Sequence, residues 1–283
     1  MIQKTFQGLP EAATEEAGKS GRLTVLAAGA HPDDIEFMMA GTLLRLRWAG
    51  AAIHMWNLAD GGCGTATEEK EAIRRRRWEE ARHSAALAGA RLHPPLVEDA
   101  SIFYDASLLS RVAAVIRRIR PRLILIPSPQ DYMEDHQNTA RLLVTAAFVR
   151  GMRNFSTDPP VEPWEGDTVL YHALPHGLRD GLRRLVRPGQ FVDIGPALSL
   201  KRSMLACHQS QKEWLDESQG MNAYLNQMEA MSRAVGKMSG RFQHAEGWRR
   251  HLHLGLSRTD RDPLKELLGE ACRVDAEYEQ SLG

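Results

Sequence analysis

The fold of this 283-residue chain is decided by the stretch Leu23-Thr-Val-Leu-Ala-Ala-Gly-Ala-His-Pro-Asp-Asp34. It begins as a short apolar run that ends in glycine, which is typical of a buried parallel strand. One imidazole and two carboxylates follow directly, between His31 and Asp34, and apolar residues then recur at helical spacing. A strand that ends in such side chains and leads into a helix predicts an α/β protein with a functional site at the strand end.

The residues at this strand end have the chemistry of a catalytic metal site. His31 and Asp34 lie three residues apart, so one tight turn can direct both at a single ion, and Pro32 restricts the backbone between them. Imidazole and carboxylate are zinc ligands. A zinc ion with three protein ligands keeps a fourth position for water, as catalytic sites do. Asp33 is left free to act as general base on a water whose pKa the ion lowers. The alternative is a helix N-cap beside a packed histidine.

A third ligand should come from another strand-end loop, and His136 is the best candidate. Asp135 and His136 open a predicted helix just after 122–127, the clearest strand in the sequence. Asp135 or a backbone carbonyl could orient the His136 ring through its other nitrogen. The predicted ligands are therefore His31, Asp34 and His136. Zinc suits this donor set best, although other divalent ions accept the same donors.

The remaining histidines and the basic cluster have weaker claims to function. Four histidines are each expected to be packed or at the surface: His172, His176, His251 and His253. His208, in Cys207-His-Gln-Ser-Gln211, has the strongest claim among the others to lie near or to face a substrate. The basic residues at 74–77 are predicted to form the solvated face of a helix.

Strand and helix patterns alternate along the first half of the chain. The predicted strands are 22–29, 52–58, 91–95 and 122–127, and the predicted helices are 35–48, 68–88, 108–120 and 136–150. This alternation predicts a Rossmann-like three-layer α/β sandwich, in which a mostly parallel sheet carries helices on both faces. Ligands of such folds bind at the carboxyl ends of the strands.

Beyond residue 151 the pattern is less regular. Two short strands, 168–172 and 190–194, are expected to complete the same sheet. The part from about 196 to 283 is predicted to be a helical cap, with helices at 196–207 and 212–237 and a further one near 263–278. We therefore expect a flexible lead-in over 1–21 and a single domain over 22–283.

Composition excludes several classes of partner. Lysine plus arginine equals aspartate plus glutamate at 36 each, so no global positive field favours a nucleic acid. The three cysteines are odd in number and widely spaced, which indicates a reducing compartment. The segment 1–21 has no apolar core, so we predict neither a signal peptide nor membrane insertion, and a cytoplasmic protein. The missing G-x-G-x-x-G loop argues against a dinucleotide enzyme.

Together these motifs resemble the LmbE/PIG-L family of zinc-dependent N-acetyl deacetylases. The similarity runs from about Leu23 to Gly247 and rests on these segments: Ala30-His-Pro-Asp-Asp34, Gly41-Thr42, Asp135-His136, Phe191-Val-Asp-Ile194, Lys201 and Cys207-His-Gln-Ser-Gln211. It implies the same three metal ligands, with Asp33 as general base. It also implies removal of acetyl groups from N-acetylglucosamine units, and a homo-oligomer.

The sequence departs from that family at two places. Many members carry His-Pro-Asp-His in the second motif, where the first histidine stabilises an oxyanion, but this chain has Met133-Glu-Asp-His136. The oxyanion role must then fall to the metal, to Tyr132, to His208 or to no group. The second departure is Cys63, which stands where members usually carry Glu or Lys in a glycine-rich loop near the substrate.

These observations predict a metal-dependent hydrolase that removes an acetyl group from an N-acetylated amino sugar or its conjugate. Asp33 would be the catalytic base, with Tyr132 and His208 as further candidate catalytic residues. The expected partner is this small-molecule substrate. The alternative is a sugar- or nucleotide-binding protein that keeps the fold but has lost or altered turnover.

Overall fold

The structure is a computed structural model that describes residues 22–213 and 223–283. The predicted lead-in, 1–21, lies outside the described residues. In the described part the strands form a sheet in the order β3-β2-β1-β4-β5-β7-β6-β8. The strands are β1 (Thr24–Gly29), β2 (Ala52–Asn57), β3 (Arg91–His93), β4 (Leu123–Ile126), β5 (Val169–Ala173), β6 (Gln190–Asp193), β7 (Ala245–Arg250) and β8 (Cys272–Val274).

Helices cover both faces of this sheet, which confirms the predicted three-layer α/β class. They are α1 (Asp34–Met38), α2 (Ala40–Trp48), α3 (Lys70–Ala88), α4 (Ala106–Ile119), α5 (Glu134–Val149), α6 (Leu198–Leu205), α7 (Ala223–Met238), α8 (Pro263–Leu268) and α9 (Ala276–Ser281). Side chains alternate across each strand. Val25 and Ala27 therefore join one core with α2 and α6, whereas Leu26 and Ala28 join a second core with α4 and α5.

The first five strands of the chain are parallel, as the alternating pattern predicts. β1 lies between β2 and β4, with Val25 opposite both Ile53 and Leu123. After β1 the chain adds β2 and β3 on one side of β1, and it then crosses over to add β4 on the other side. Such a switch point leaves a crevice at the carboxyl ends of the two strands, where α/β proteins bind ligands.

The C-terminal part differs from the prediction of a helical cap. It contains helices, but β7 enters the sheet between β5 and β6, and β8 forms its edge. All three pairings there are antiparallel. The segment 263–278 holds two short helices and β8 rather than one helix. The sequence pattern does not predict β7, because Ala245-Glu-Gly-Trp-Arg-Arg250 has few apolar residues, although its first four residues are buried.

One buried carboxylate joins the C-terminal part to the first helices. Glu246 on β7 accepts hydrogen bonds from the backbone N–H groups of Gly41 (2.8 Å) and Thr42 (2.7 Å). It also accepts from Lys201 Nζ at 2.6 Å. A Cβ on Gly41 would lie 2.5 Å from the Ile194 side chain, so glycine is needed here. This contact divides the predicted helix 35–48 into α1 and α2.

No helix in the described ranges is long and apolar enough to span a membrane.

Candidate active site

The turn after β1 holds Asp34 in a fixed orientation. Its Oδ2 atom accepts hydrogen bonds from the backbone N–H groups of Ala30 and His31, each at 2.8 Å. Asp33 occupies the N-cap of α1 with φ 111°, a left-handed conformation that costs a non-glycine residue energy and is often found at functional sites. A Cβ on Gly29 would lie 2.8 Å from Cβ of Asp34. The glycine that ends β1 therefore makes room for the carboxylate.

Two further aspartates orient the histidine rings. Asp135 contacts Nε2 of His31 at 3.0 Å, which leaves Nδ1 of that ring available. Asp131 contacts Nδ1 of His136 at 3.1 Å, which leaves Nε2 available 3.3 Å from Asp34 Oδ1. Asp135 thus orients His31 rather than its neighbour His136, which corrects one expectation. Carboxylate partners of this kind are typical of histidines that bind metals.

The structure brings the three predicted ligands together. One ligand atom from each of His31, Asp34 and His136 lies within 4.8 Å of the other two, so this group could hold a metal ion. Burial opposes ionisation of Asp34, but the neighbouring His136 and His31 rings lower its pKa well below the usual range. An ionised carboxylate and two oriented imidazoles fit the donor set of a divalent transition-metal ion.

Asp33 lies beside this group in different surroundings. Burial raises the pKa of its carboxyl, and the charge of Asp34 adds to the rise, against the opposing effect of Arg77. Tyr224 donates a hydrogen bond to Asp33 Oδ2 at 2.7 Å. Two adjacent carboxylates with pKa values shifted in opposite directions are typical of a ligand and a proton-transfer group in one site.

Arg77 corrects the interpretation of 74–77 as a solvated face. Its side chain is only 4% exposed, donates to the Pro32 carbonyl at 2.6 Å and lies 3.9 Å from Asp33. The signal was present in the sequence, since Arg77 falls at i+4 from Ile73 and seven residues before Ser84, both buried on the same face of α3. The four consecutive arginines at 74–77 favoured an exposed helix face, although the spacing of Arg77 matched the buried one.

A cavity of about 530 Å³ opens over the group. Its walls come from the loops after β1, β4 and β5, from the glycine-rich loop and from α7. Tyr132, Met133 and Cys63 all line it, as expected for residues near a substrate. The Tyr132 side chain is 59% exposed. The walls also include three residues that sequence analysis did not single out for function: His176, Tyr224 and Gln227.

His208 is not among the residues that line this cavity. It is fully buried, with Nε2 3.2 Å from Glu36 Oε1. Glu36 in turn accepts from Ser84 Oγ at 2.5 Å. His208 therefore lies behind the site, where it can affect the charge on Asp33 but does not face the cavity.

Fold and site together define a class: α/β proteins with a His-Asp-His group, able to hold a metal ion, at the carboxyl edge of a mostly parallel sheet. Comparison with known proteins agrees. Residues 26–147 match the family model PIG-L, described as GlcNAc-PI de-N-acetylase. The predicted resemblance to the LmbE/PIG-L family is thereby confirmed.

Individual relatives extend this similarity over most of the chain. A diacetylchitobiose deacetylase from Thermococcus kodakarensis is 28% identical over 232 residues, which cover 80% of this chain and 82% of the relative. The solved N,N'-diacetylchitobiose deacetylase from Pyrococcus horikoshii superposes with a TM-score of 0.69 at 22% identity, over 85% of this chain and 88% of that one.

A second similar structure has a different activity. It is the 4-carboxy-2-hydroxymuconate hydratase from Pseudomonas putida, with a TM-score of 0.65 at 23% identity, over 85% of this chain and 99% of that one. The same fold therefore carries unrelated reactions, so the reaction of this chain has to be argued from its site.

Proposed function

We propose that this protein is a zinc-dependent deacetylase of an N-acetylated amino sugar or its conjugate. The observation that carries the proposal is the His31–Asp34–His136 group with Asp33 held next to it. Similarity to a diacetylchitobiose deacetylase supports the choice of substrate class. The cavity of about 530 Å³ lies within the range of small-molecule sites.

His31, Asp34 and His136 would hold the ion, with Asp135 and Asp131 keeping the two rings in the orientation that leaves one nitrogen of each free. A bound divalent ion would polarise the acetyl carbonyl and lower the pKa of water.

Asp33 is the proton carrier in this proposal. It takes a proton from the attacking water as the water oxygen bonds to the acetyl carbon. It then returns that proton to the nitrogen as the C–N bond breaks, which yields acetate and the free amine. Its raised pKa suits this double role, because an acid-base catalyst works best when its pKa lies near the working pH.

Met133 favours a second candidate function, that of a sugar- or nucleotide-binding protein with lost or altered turnover. It lines the cavity where many family members would supply a hydrogen-bond donor. A protein that binds an amino sugar but turns it over slowly or not at all would also have this site. A cytoplasmic location and a homo-oligomer remain predictions.

The test measures bound zinc by mass spectrometry and acetate release from N-acetylglucosamine, diacetylchitobiose and their glycoconjugates. We expect wild type to bind one zinc ion and to release acetate. His136→Ala should lose both. Asp33→Asn should keep the zinc and lose about a hundred- to ten-thousand-fold in kcat, the usual contribution of a general base.

Asp105→Asn is a matched control, because Asp105 is also an N-cap aspartate but belongs to α4, away from the cavity. It should leave kcat unchanged. If Asp33→Asn retains the wild-type rate, the base assignment is wrong. If wild type binds the sugars with zinc and releases no acetate from any of them, the binding protein is the correct function.

A further inference from the structure

The candidate site lacks an obvious donor for the acetyl oxygen. The Met133 thioether cannot donate a hydrogen bond. Two other donors in the cavity wall are held by other groups: Tyr224 donates to Asp33, and Arg77 donates to the Pro32 carbonyl, although its buried Nε has no hydrogen-bond partner among the described residues. Oxyanion stabilisation is commonly the largest single contribution to such reactions, so a hydrogen-bond donor that acts beside a bound ion would raise the rate.

His176 is placed to supply this donor. It follows β5 by three residues, and the loop after β5 lines the cavity together with the loops after β1 and β4. Its ring packs edge-on against Phe37 with centroids 4.9 Å apart. The Tyr132 ring lies 6.4 Å from His176 and 5.9 Å from His136. His176 therefore lines the same cavity as the group that could hold a metal ion, with the Tyr132 ring near both His176 and His136.

The hydrogen bond from α7 determines which nitrogen of His176 carries the proton. The Gln227 side-chain nitrogen lies 3.1 Å from His176 Nε2. An amide nitrogen can only donate, so Nε2 accepts and the proton of the neutral ring is on Nδ1. No hydrogen bond joins Nδ1–H to another residue in 22–213 or 223–283. Burial also lowers the pKa of His176, which keeps the ring neutral near pH 7.

We propose that His176 is the catalytic residue that donates a hydrogen bond, from Nδ1–H, to the acetyl oxygen of the substrate. This inference rests on the proposed deacetylase function. As the water oxygen bonds to the acetyl carbon, the electron pair of the C=O double bond moves onto the carbonyl oxygen. The Nδ1–H bond to that oxygen strengthens, and no proton is transferred. Gln227 is a positioning residue that fixes the tautomer.

Tyr132 is the competing donor in the same wall. Its hydroxyl belongs to a side chain that is 59% exposed, so water competes for that group, whereas His176 is held by Phe37 and Gln227. A donor fixed before the reaction stabilises developing charge better than one that must reorganise.

The first part of the test compares His176→Leu and His176→Gln with wild type. We expect His176→Leu to lower kcat by about a hundred- to a thousand-fold, as loss of one oxyanion donor does, with KM changed less than threefold. His176→Gln keeps an N–H donor and should recover part of the rate. His251→Leu is the matched control, because His251 also follows a strand of the sheet but does not line this cavity, and it should keep the wild-type kcat.

The second part measures binding instead of turnover. The probe is a methylphosphonamidate analogue of N-acetylglucosamine, which mimics the tetrahedral oxyanion, titrated into the zinc-loaded protein by calorimetry. His176→Leu should weaken its binding about ten- to a hundredfold and leave glucosamine binding within threefold, because the donor acts on the oxyanion alone. Gln227→Leu should weaken probe binding by a smaller factor.

These readouts separate the two proposals. If wild type releases acetate and His176→Leu keeps its kcat, or if Tyr132→Phe loses the rate instead, the deacetylase function stands and His176 is not the donor. If wild type releases no acetate but binds the probe, and His176→Leu weakens that binding, the proposed function is wrong and His176 is still the donor to a tetrahedral oxyanion. Probe binding that is absent in wild type, or unchanged by His176→Leu, overturns the inference.

Discussion

The parallel half of the molecule, 22–150, and the C-terminal half, 151–283, contribute to the site in different ways. The parallel half supplies every residue of the group that could hold a metal ion, in the turns and first helical residues after two neighbouring strands. The C-terminal half supplies the opposite wall, with His176 after β5 and Tyr224 and Gln227 on α7. The geometry of the candidate metal ligands is thus set within short turns, whereas the cavity wall forms only when segments far apart in the chain pack together.

The two halves are joined by buried polar contacts as well as by apolar packing. Lys201 and Glu246 belong to the C-terminal half, yet the carboxylate binds backbone N–H groups at the start of α2. α7 reaches across the cavity to Asp33 through Tyr224. Two predictions test how strongly the parallel half depends on these contacts, and a third tests the parallel half by itself.

The largest effect is expected for Lys201→Met. The lysine side chain is fully buried, and its removal leaves Glu246 as a buried charge without a cationic partner. Breaking a buried pair in this way costs about 3–5 kcal/mol in the free energy of unfolding. Urea unfolding followed by circular dichroism measures it. Lys237→Met on the exposed side of α7 should change stability by less than about 0.5 kcal/mol. Equal effects of both variants would mean that the Lys201 pair does not join the halves.

A smaller effect is expected for Tyr224→Phe, on activity. The variant removes the group that holds Asp33 in place, and misplacement of a catalytic group lowers kcat by up to roughly a hundredfold. Because this hydrogen bond lowers the pKa of Asp33, the acid limb of the pH profile of kcat/KM should move to higher pH. Tyr171→Phe is the control, since Tyr171 donates to Asp262 at 2.7 Å away from the cavity. It should lower stability and leave the profile in place. An unmoved profile for Tyr224→Phe would show that α7 does not act on the base.

The smallest effect concerns the parallel half alone. His54 and His93 contact each other at 2.8 Å on β2 and β3, and burial lowers their pKa values to about 4 and about 3. In the unfolded chain both histidines have a pKa near 6.5, so below that pH they bind protons that the folded protein excludes. Stability therefore falls as the pH is lowered. We expect the two histidines together to cause a loss of about 1.4 kcal/mol between pH 7 and pH 6.

Urea titrations at both pH values check this loss. The double variant His54→Leu, His93→Leu should reduce it, whereas His83→Leu on the exposed side of α3 should not. A pH dependence that stays the same in the double variant would assign the loss to other groups.

The group that could hold a metal ion was predictable because its members lie at strand ends with local spacing. His31 and Asp34 share one turn, and the position of His136 follows from the rule that parallel strands end at one edge. The partner of each ring did not follow from the sequence. Asp135 is adjacent to His136 in the chain but contacts His31, because its side chain leaves the helix in another direction.

The sequence by itself determined the mostly parallel sheet, the position of the site at the ends of β1 and β4, and the three candidate ligands. These properties depend on period and on short turns, which are local. Tertiary structure alone decided that β7 enters the sheet, that Arg77 is buried, that His208 lies behind the site and that His176 faces the cavity. Each of these depends on contacts between segments far apart in the chain, and a single histidine or arginine has no spacing that reports what it will pack against.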